Sequence, residues 1–326
     1  MSAAQATRPW RIATRRSALA QVQARSVADA LTAHTGQPAE LVALATSGDE
    51  HPERAIEAFD AKGLFVDGTR QAVLAGDCDM VVHSYKDLPT EGHDQLAIAA
   101  VPPRVDPRDA LVTQPGWRLP TIPRDRPRAI GTSSPRRAAQ LTYHRRDLVV
   151  QPLRGNLTTR LRKVADGELD GVVVAVAGLL RLRPDVDGLV AVPLEHGELL
   201  HAPAQGALAV ECRRDDADTR RVLRAAVDDP VTRLEATTER ELLAHLQGGC
   251  TAPIGAHAQV RTTATGERRL TLLGLLADPG GTRLYRASHE IAADDPVTLG
   301  RAMARTLLED GGEAVLTRLR EDPAST

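Results

Sequence analysis

Short apolar blocks alternate with stretches of helical spacing through the first two-thirds of the chain. Trp10 to Ala13 has the length and apolar content of a strand, and Ala18 to His34 spaces its apolar positions as an amphipathic helix ending near Gly36. Glu40 to Thr46 predicts a second strand, Phe65 to Ala75 a helix stopped by Gly76, and Met80 to Val82 a buried strand. Val101 to Arg128 is rich in proline, lacks a long period and reads as a crossover. The alternation then resumes. Strands are expected at Ala129-Ile130, Leu148 to Val150 and Gly171 to Val176, and helices at Pro135 to Tyr143 and Asn156 to Asp166. Leu208 to Val210 reads as a strand returning to the first domain. After Asp215 come two helices, Thr219 to Val227 and Thr232 to Leu246. Leu270 to Leu276 and Arg283 to Ile291 then form an antiparallel pair, and Val297 to Leu319 closes the chain as helix. The pattern implies an α/β protein with a mostly parallel sheet in its first part and a small antiparallel sheet at its end.

Composition narrows the classes. A chain of 326 residues suggests two or three domains. Only 2% of residues are aromatic, so Ala, Val and Leu must fill the cores. A net charge of -2 draws the protein to neither nucleic acid nor membrane, so any anion site must be a local cluster of cations. No apolar run reaches the roughly 18 residues of a membrane span, and Met1 to Arg16 does not read as a signal peptide. The cysteines, Cys78, Cys212 and Cys250, match neither a zinc spacing nor a disulfide framework. A reducing cytoplasm and no metal site are expected, with Cys78 and Cys212 as core residues.

Five segments carry candidate chemistry. Arg11 to Ser17 runs from a strand into a helix start, where free N–H groups, Ser17 and Arg15 suit an anion; it also reads as a solvated basic turn. Val81 to Pro89 ends a buried strand in Ser84, Lys86 and Asp87, at the edge where open α/β sheets bind ligands. Lys86 beside Asp87 reads equally as a surface ion pair. Gly131-Thr132-Ser133-Ser134-Pro135-Arg136-Arg137 brings hydroxyls, N–H groups and two guanidiniums to a helix start, though it also fits an ordinary cap and matches no dinucleotide fingerprint. Arg154-Gly155-Asn156 with Arg160, and Ala177 to Arg181, follow buried strands. Gly248-Gly249-Cys250 places a thiol in a loop where a ligand can approach the backbone, or simply holds a free structural cysteine.

Taken together and in this order, these segments resemble the porphobilinogen deaminase family. The runs Val-His-Ser-x-Lys-Asp-Leu-Pro, Gly-Thr-Ser-Ser-x-Arg-Arg and Gly-Gly-Cys-x-x-Pro-Ile-Gly carry the resemblance, which covers 11–23, 62–89, 131–141, 154–182, 203–213 and 239–255. It implies three domains: 8–104 plus 203–222, then 105–202, both like lobes of type II periplasmic binding proteins with the active-site cleft between them, and a small third domain over 223–322. It implies a cytoplasmic transferase; a monomer is expected because no apolar repeat suggests an interface, and neither nucleic acid nor membrane is expected as a partner. This enzyme joins four porphobilinogen molecules head to tail with loss of ammonia. The product grows on a dipyrromethane cofactor attached to Cys250 and is released by hydrolysis as linear hydroxymethylbilane for haem biosynthesis. In family terms Asp87 resembles the catalytic carboxylate, which holds pyrrole N–H groups and stabilises the positive azafulvene left by ammonia. Lys86, Asp87, Thr132, Ser133, Ser134, Arg136, Arg137 and Arg181 resemble cofactor ligands. Arg15, Ser17, Gln23, Arg154, Gly155 and Arg160 resemble the clamp for substrate carboxylates. The physical sense is that buried carboxylates need paired charge, which planar guanidinium forks supply best. The chain departs from the family at Ala61-Lys62-Gly63, where a mobile Gly-Lys-Gly loop is usual, and at Asp67, Val22 and Pro135. A ligand-binding sensor of periplasmic-binding type is the competing reading; it would need neither Asp87 nor Cys250.

Overall fold

The computed structural model describes residues 8–44, 61–185, 188–246, 252–292 and 295–321. They divide into two compact units, Met1–Arg104 with Ala207–Arg233, and Val105–Gly206 with Leu234–Thr326.

The first unit is built on five strands: β1 (Trp10–Arg15), β2 (Ala39–Leu44), β3 (Met80–Ser84), β4 (Leu96–Ala100) and β10 (Leu208–Arg213), in the order β2-β1-β3-β10-β4. The first three run parallel, and β10 pairs antiparallel with both β3 and β4. Helix α1 (Ala18–Thr35) starts where Ser17 accepts the Ala20 N–H. It ends where Gly36, at φ 71°, takes the left-handed conformation that closes a helix without a Cβ penalty. Its face of Ala24, Val27, Ala28 and Leu31 packs with Ile12, Met80, Val210, Leu223 and Val227 into one core. The last two come from α6 (Ala217–Val227). Helix α2 (Ala61–Leu74) includes Ala61-Lys62-Gly63 in its first turn.

The second unit repeats the plan. Strands β5 (Asp109–Thr113), β6 (Arg128–Gly131), β7 (Leu148–Gln151), β8 (Gly171–Ala175) and β9 (Val190–Pro193) lie in the order β7-β6-β8-β5-β9. β6, β7 and β8 are parallel, while β5 is antiparallel to β8 and β9. The proline-rich segment therefore holds a central strand. The residues of β5 are all buried, so no alternation of polar and apolar positions announces it. Helices α3 (Pro135–His144), α4 (Leu157–Ala165) and α5 (Val176–Leu182) follow β6, β7 and β8.

The same unit carries a third sheet of three antiparallel strands, β11 (Ile254–Thr262), β12 (Arg268–Ala277) and β13 (Leu284–Ile291). The expected pair thus gains a third strand at its start. Leu242 and Leu246 of α7 (Pro230–Leu246), Leu299, Met303 and Leu307 of α8 (Pro296–Leu307) and Val315 of α9 (Glu313–Glu321) cover one face of it. Gly274 lets α8 lie close, since a Cβ there would meet Met303 Sδ at 2.7 Å.

Candidate active site

In a sheet ordered 2-1-3, ligands bind beyond the carboxyl ends of the strands that flank the reversal. In the first unit those are β1, ending at Arg15, and β3, ending at Ser84. A cavity of about 100 Å³ opens there, lined by Arg15, Ser17, Leu19, Ala20, Gln23, Val82, His83, Ser84 and Asp87. Gln23 is buried and exchanges hydrogen bonds with Ser84: its Nε2 donates to Oγ at 3.0 Å, and the hydroxyl stands 3.1 Å from its Oε1. These two polar side chains thereby fix the floor. Tyr85–Asp87 forms a 3-10 turn, tied down by the Tyr85 N–H on Ala207 O at 3.0 Å. Tyr85 and Leu88 are buried, whereas Lys86 is half-buried and Asp87 exposed at the cavity.

A buried ionic group underlies this floor. Arg70 donates to both oxygens of Glu211 at 2.8 Å, and His83 Nε2 lies 3.2 Å from Glu211 Oε2. Burial alone would push the Glu211 carboxyl up, but His83 and Arg70 outweigh it and hold it at about 2. His83 thus stands within ion-pair distance of Glu211.

In the second unit the corresponding edge is richer in cations. Gly131 ends β6 where a Cβ would meet Leu169 at 2.7 Å. Thr132 Oγ1 then accepts the Ser134 N–H at 3.2 Å, and Ser133 Oγ takes the Leu153 N–H at 2.8 Å while donating to Leu153 O. These hydroxyls brace the loop. Ser134 is the N-cap of α3 but makes no side-chain cap bond, so its hydroxyl is not used on its own helix.

Arg136 and Arg137 are both buried and share one carboxylate, Asp109 of β5, itself fully buried. Arg136 also donates to Leu200 O at 2.6 Å and Arg137 to Val173 O at 2.9 Å. Burial opposes the Asp109 charge, but the two guanidiniums and Gln205 reverse the effect and hold its carboxyl far below the usual range. One aspartate between two arginines leaves a net positive charge.

Asn156 caps α4 by accepting the Thr159 N–H at 2.9 Å. Gly155 stands at φ 103°, where a Cβ would meet Thr159 at 2.8 Å. Arg160 donates Nε to Gly155 O at 2.8 Å. Burial lowers its pKa and the nearby charge of Arg137 lowers it further. Arg181, on α5, donates to Gly206 O at 2.8 Å, and burial brings it down to about 10. Neither Arg160 nor Arg181 has a carboxylate partner among the described residues. Arg154 is exposed.

The structure gathers Arg15, Ser17, Gln23 and Asp87 around one cavity in the first unit, with Lys86 beside Asp87. In the second unit Thr132, Ser133, Ser134, Arg136, Arg137, Arg154, Gly155, Arg160 and Arg181 lie at the ends of β6, β7 and β8. Cys250 lies outside the described residues. Cys78 and Cys212 are buried free thiols, and burial raises both, Cys212 to about 11, which keeps them protonated and unreactive. Sequence reasoning missed Asp109, Gln205, Arg70 and Glu211, because each pairs with residues far away in the chain. The Asp before Ala110-Leu111-Val112 inside the proline-rich stretch was the only local signal for Asp109.

A family model described as porphobilinogen deaminase, dipyromethane cofactor binding domain, matches residues 10–221, and one for the porphobilinogen deaminase C-terminal domain matches 233–309. The porphobilinogen deaminase of Nocardia farcinica is 46% identical over 325 residues, 98% of this chain and 91% of that one. That of Acidothermus cellulolyticus is 44% identical over 319 residues, 97% and 93% of the two chains. Among solved structures, the substrate-binding protein of an amino acid ABC transporter is 13% identical over 67% of this chain and 90% of that one, with a TM-score of 0.37. That likeness is too loose to carry an argument.

Proposed function

The chain belongs to the porphobilinogen deaminase family, and from that premise we propose that it is a cytoplasmic, monomeric transferase acting as hydroxymethylbilane synthase. It condenses four porphobilinogen molecules head to tail with loss of ammonia on a dipyrromethane held by Cys250, and releases the linear tetrapyrrole by hydrolysis. Within this reading the second unit comprises two domains, the second-sheet lobe and the third-sheet domain. Among the described residues no helix is long and apolar enough to cross a membrane.

The observation that carries the proposal is positive charge that the described residues leave unbalanced. Arg136 and Arg137 share one carboxylate, and among the described residues Arg160 and Arg181 are desolvated beside backbone carbonyls without a carboxylate partner. Cations buried in this way favour an anionic occupant. Dipyrromethane and porphobilinogen both carry acetate and propionate groups, so the donor set fits them. Guanidinium forks match such carboxylates in pairs. When bound, the dipyrromethane supplies the pyrrole carbon that takes up the first substrate.

The protein's own groups then act as follows. Arg15, Arg154 and Arg160 clamp substrate carboxylates, while Lys86, Arg136, Arg137 and Arg181 hold those of the primer. Ser17 and Gln23 shape the cavity, and Thr132, Ser133, Ser134 and Gly155 set the loops that aim the arginines. Asp87 accepts pyrrole N–H hydrogen bonds and stabilises the positive charge that develops on the substrate as ammonia leaves. It also accepts and returns the proton that moves during the carbon–carbon step.

Intact-mass measurement tests the reading. The purified protein should exceed its sequence mass by one dipyrromethane, and Cys250→Ser should fall back to the sequence mass. A wild-type protein without the increment, in cells that make porphobilinogen, would favour a sensor instead.

A further inference from the structure

Three imidazoles meet in the second unit, none of them among the residues of the candidate active site. His196 and His201 follow β9, and His257 lies in β11. One ring nitrogen from each lies within 4.8 Å of the other two. His201 Nε2 stands 3.1 Å from His257 Nδ1. The rings of His196 and His257 stack with centroids 4.0 Å apart, and His201 meets both edge-on.

The backbone around the trio is held independently of the rings. The Ala256 N–H donates to His201 O at 3.0 Å, and Glu239 accepts the N–H groups of Ala204 and Ala258 at 2.6 and 2.9 Å. Arg286 donates to the carbonyls of His196 and Gly197 at 2.6 and 3.0 Å. Gly255 fits against Leu200, whose carbonyl would lie 2.9 Å from an added Cβ. A framework of this kind presents side chains in a preset geometry.

The protonation pattern suits coordination. His201 Nδ1 lies 2.9 Å from Ala202 O, so this nitrogen carries the proton and Nε2 presents its lone pair. Metal-bound histidines characteristically donate their second nitrogen to a carbonyl in this way. His196 Nδ1 is buried with no hydrogen-bond partner among the described residues, which the His201–His257 contact does not explain.

We propose that His196, His201 and His257 form a three-histidine site for a divalent transition-metal ion, zinc first, which pins the segment after β9 to the opening strand of the third sheet. A tetrahedral ion with bonds of about 2.0–2.1 Å holds its ligand nitrogens roughly 3.3 Å apart. The His201–His257 pair is already near that separation, and binding requires the half-buried His196 ring to turn out of its stack on His257. Three neutral nitrogens suit zinc, cobalt, nickel or copper and not magnesium or calcium, and water fills the fourth position.

Holoprotein stripped with chelator is titrated with cobalt(II), then zinc. Visible d–d absorption should saturate at one cobalt per chain and vanish on zinc addition. Zinc at about a hundredfold excess over its Kd should raise the thermal midpoint by about 4 °C. His196→Ala and His257→Ala should each weaken cobalt binding about 100-fold or more and abolish the thermal shift, while His93→Ala keeps both. His196→Gln is the second variant if an alanine change lowers stability, and retained turnover without metal marks it as folded. A wild-type protein with no visible band, or a band that survives both alanine variants, overturns the site.

Discussion

Arg137 gives two N–H donors, Nε and one terminal nitrogen, to a single oxygen of Asp109, at 3.0 and 2.6 Å. The other oxygen takes Arg136 at 2.9 Å, so this carboxylate sets the position of both arginines at the start of α3. Removing it leaves two buried guanidiniums facing each other. Asp109→Ala should cost about 3–5 kcal/mol in urea unfolding, the usual penalty for breaking a buried pair. A loss below about 1 kcal/mol would show that the arginines find other partners.

Arg160 and Arg181 should separate in their effects. Arg160→Gln should raise KM for porphobilinogen tenfold to a hundredfold, the range for losing a charged hydrogen bond worth about 1.5–3 kcal/mol. Arg181→Gln should instead lower the fraction of protein that carries the primer, read by intact mass. Arg160→Lys should recover only part of the loss, because a point charge cannot replace a fork. Unchanged KM in Arg160→Gln would remove this residue from the clamp.

Glu211 links stability to acid. Its carboxyl ordinarily titrates near 4.5 and sits at about 2 in the folded protein, so the unfolded chain binds the proton first. The stabilisation is complete above pH 4.5 and is lost as pH falls toward 2, amounting to about 3 kcal/mol. Glu211→Gln should flatten this part of the acid-unfolding profile. A profile that keeps the wild-type slope would place the acid sensitivity elsewhere.

Asp87 is exposed at the end of its turn, so Asp87→Ala should leave the unfolding transition within about 0.5 kcal/mol of wild type. Turnover should nevertheless fall at least about 100-fold, the cost of removing one group that stabilises charge in a transition state. Near-normal product formation would dismiss Asp87 as the acting carboxylate.

Much of this arrangement is written locally. Ser17, Gly36, Asn156 and Pro135 mark helix ends through capping and backbone preference, and the structure places those ends within a residue or two of the expected ones. Polar residues following the apolar runs of β1, β3, β6, β7 and β8 likewise expose the ligand-binding edges. β5 is different, since a short strand buried on both faces has no period to betray it.

The chain's own order of residues therefore determined the strand–helix alternation, the positions of the loops and the kinds of groups they carry, because caps, turns and periodicity act over a few neighbours. Only tertiary structure decided that β5 and β10 run against their neighbours, that Asp109 faces two arginines 27 and 28 residues further on, and that Glu211 reaches back 141 residues to Arg70. The same holds for His196, His201 and His257. Pairings over such distances depend on strand order and register, which are settled by packing and the burial of charge and leave no trace in local spacing.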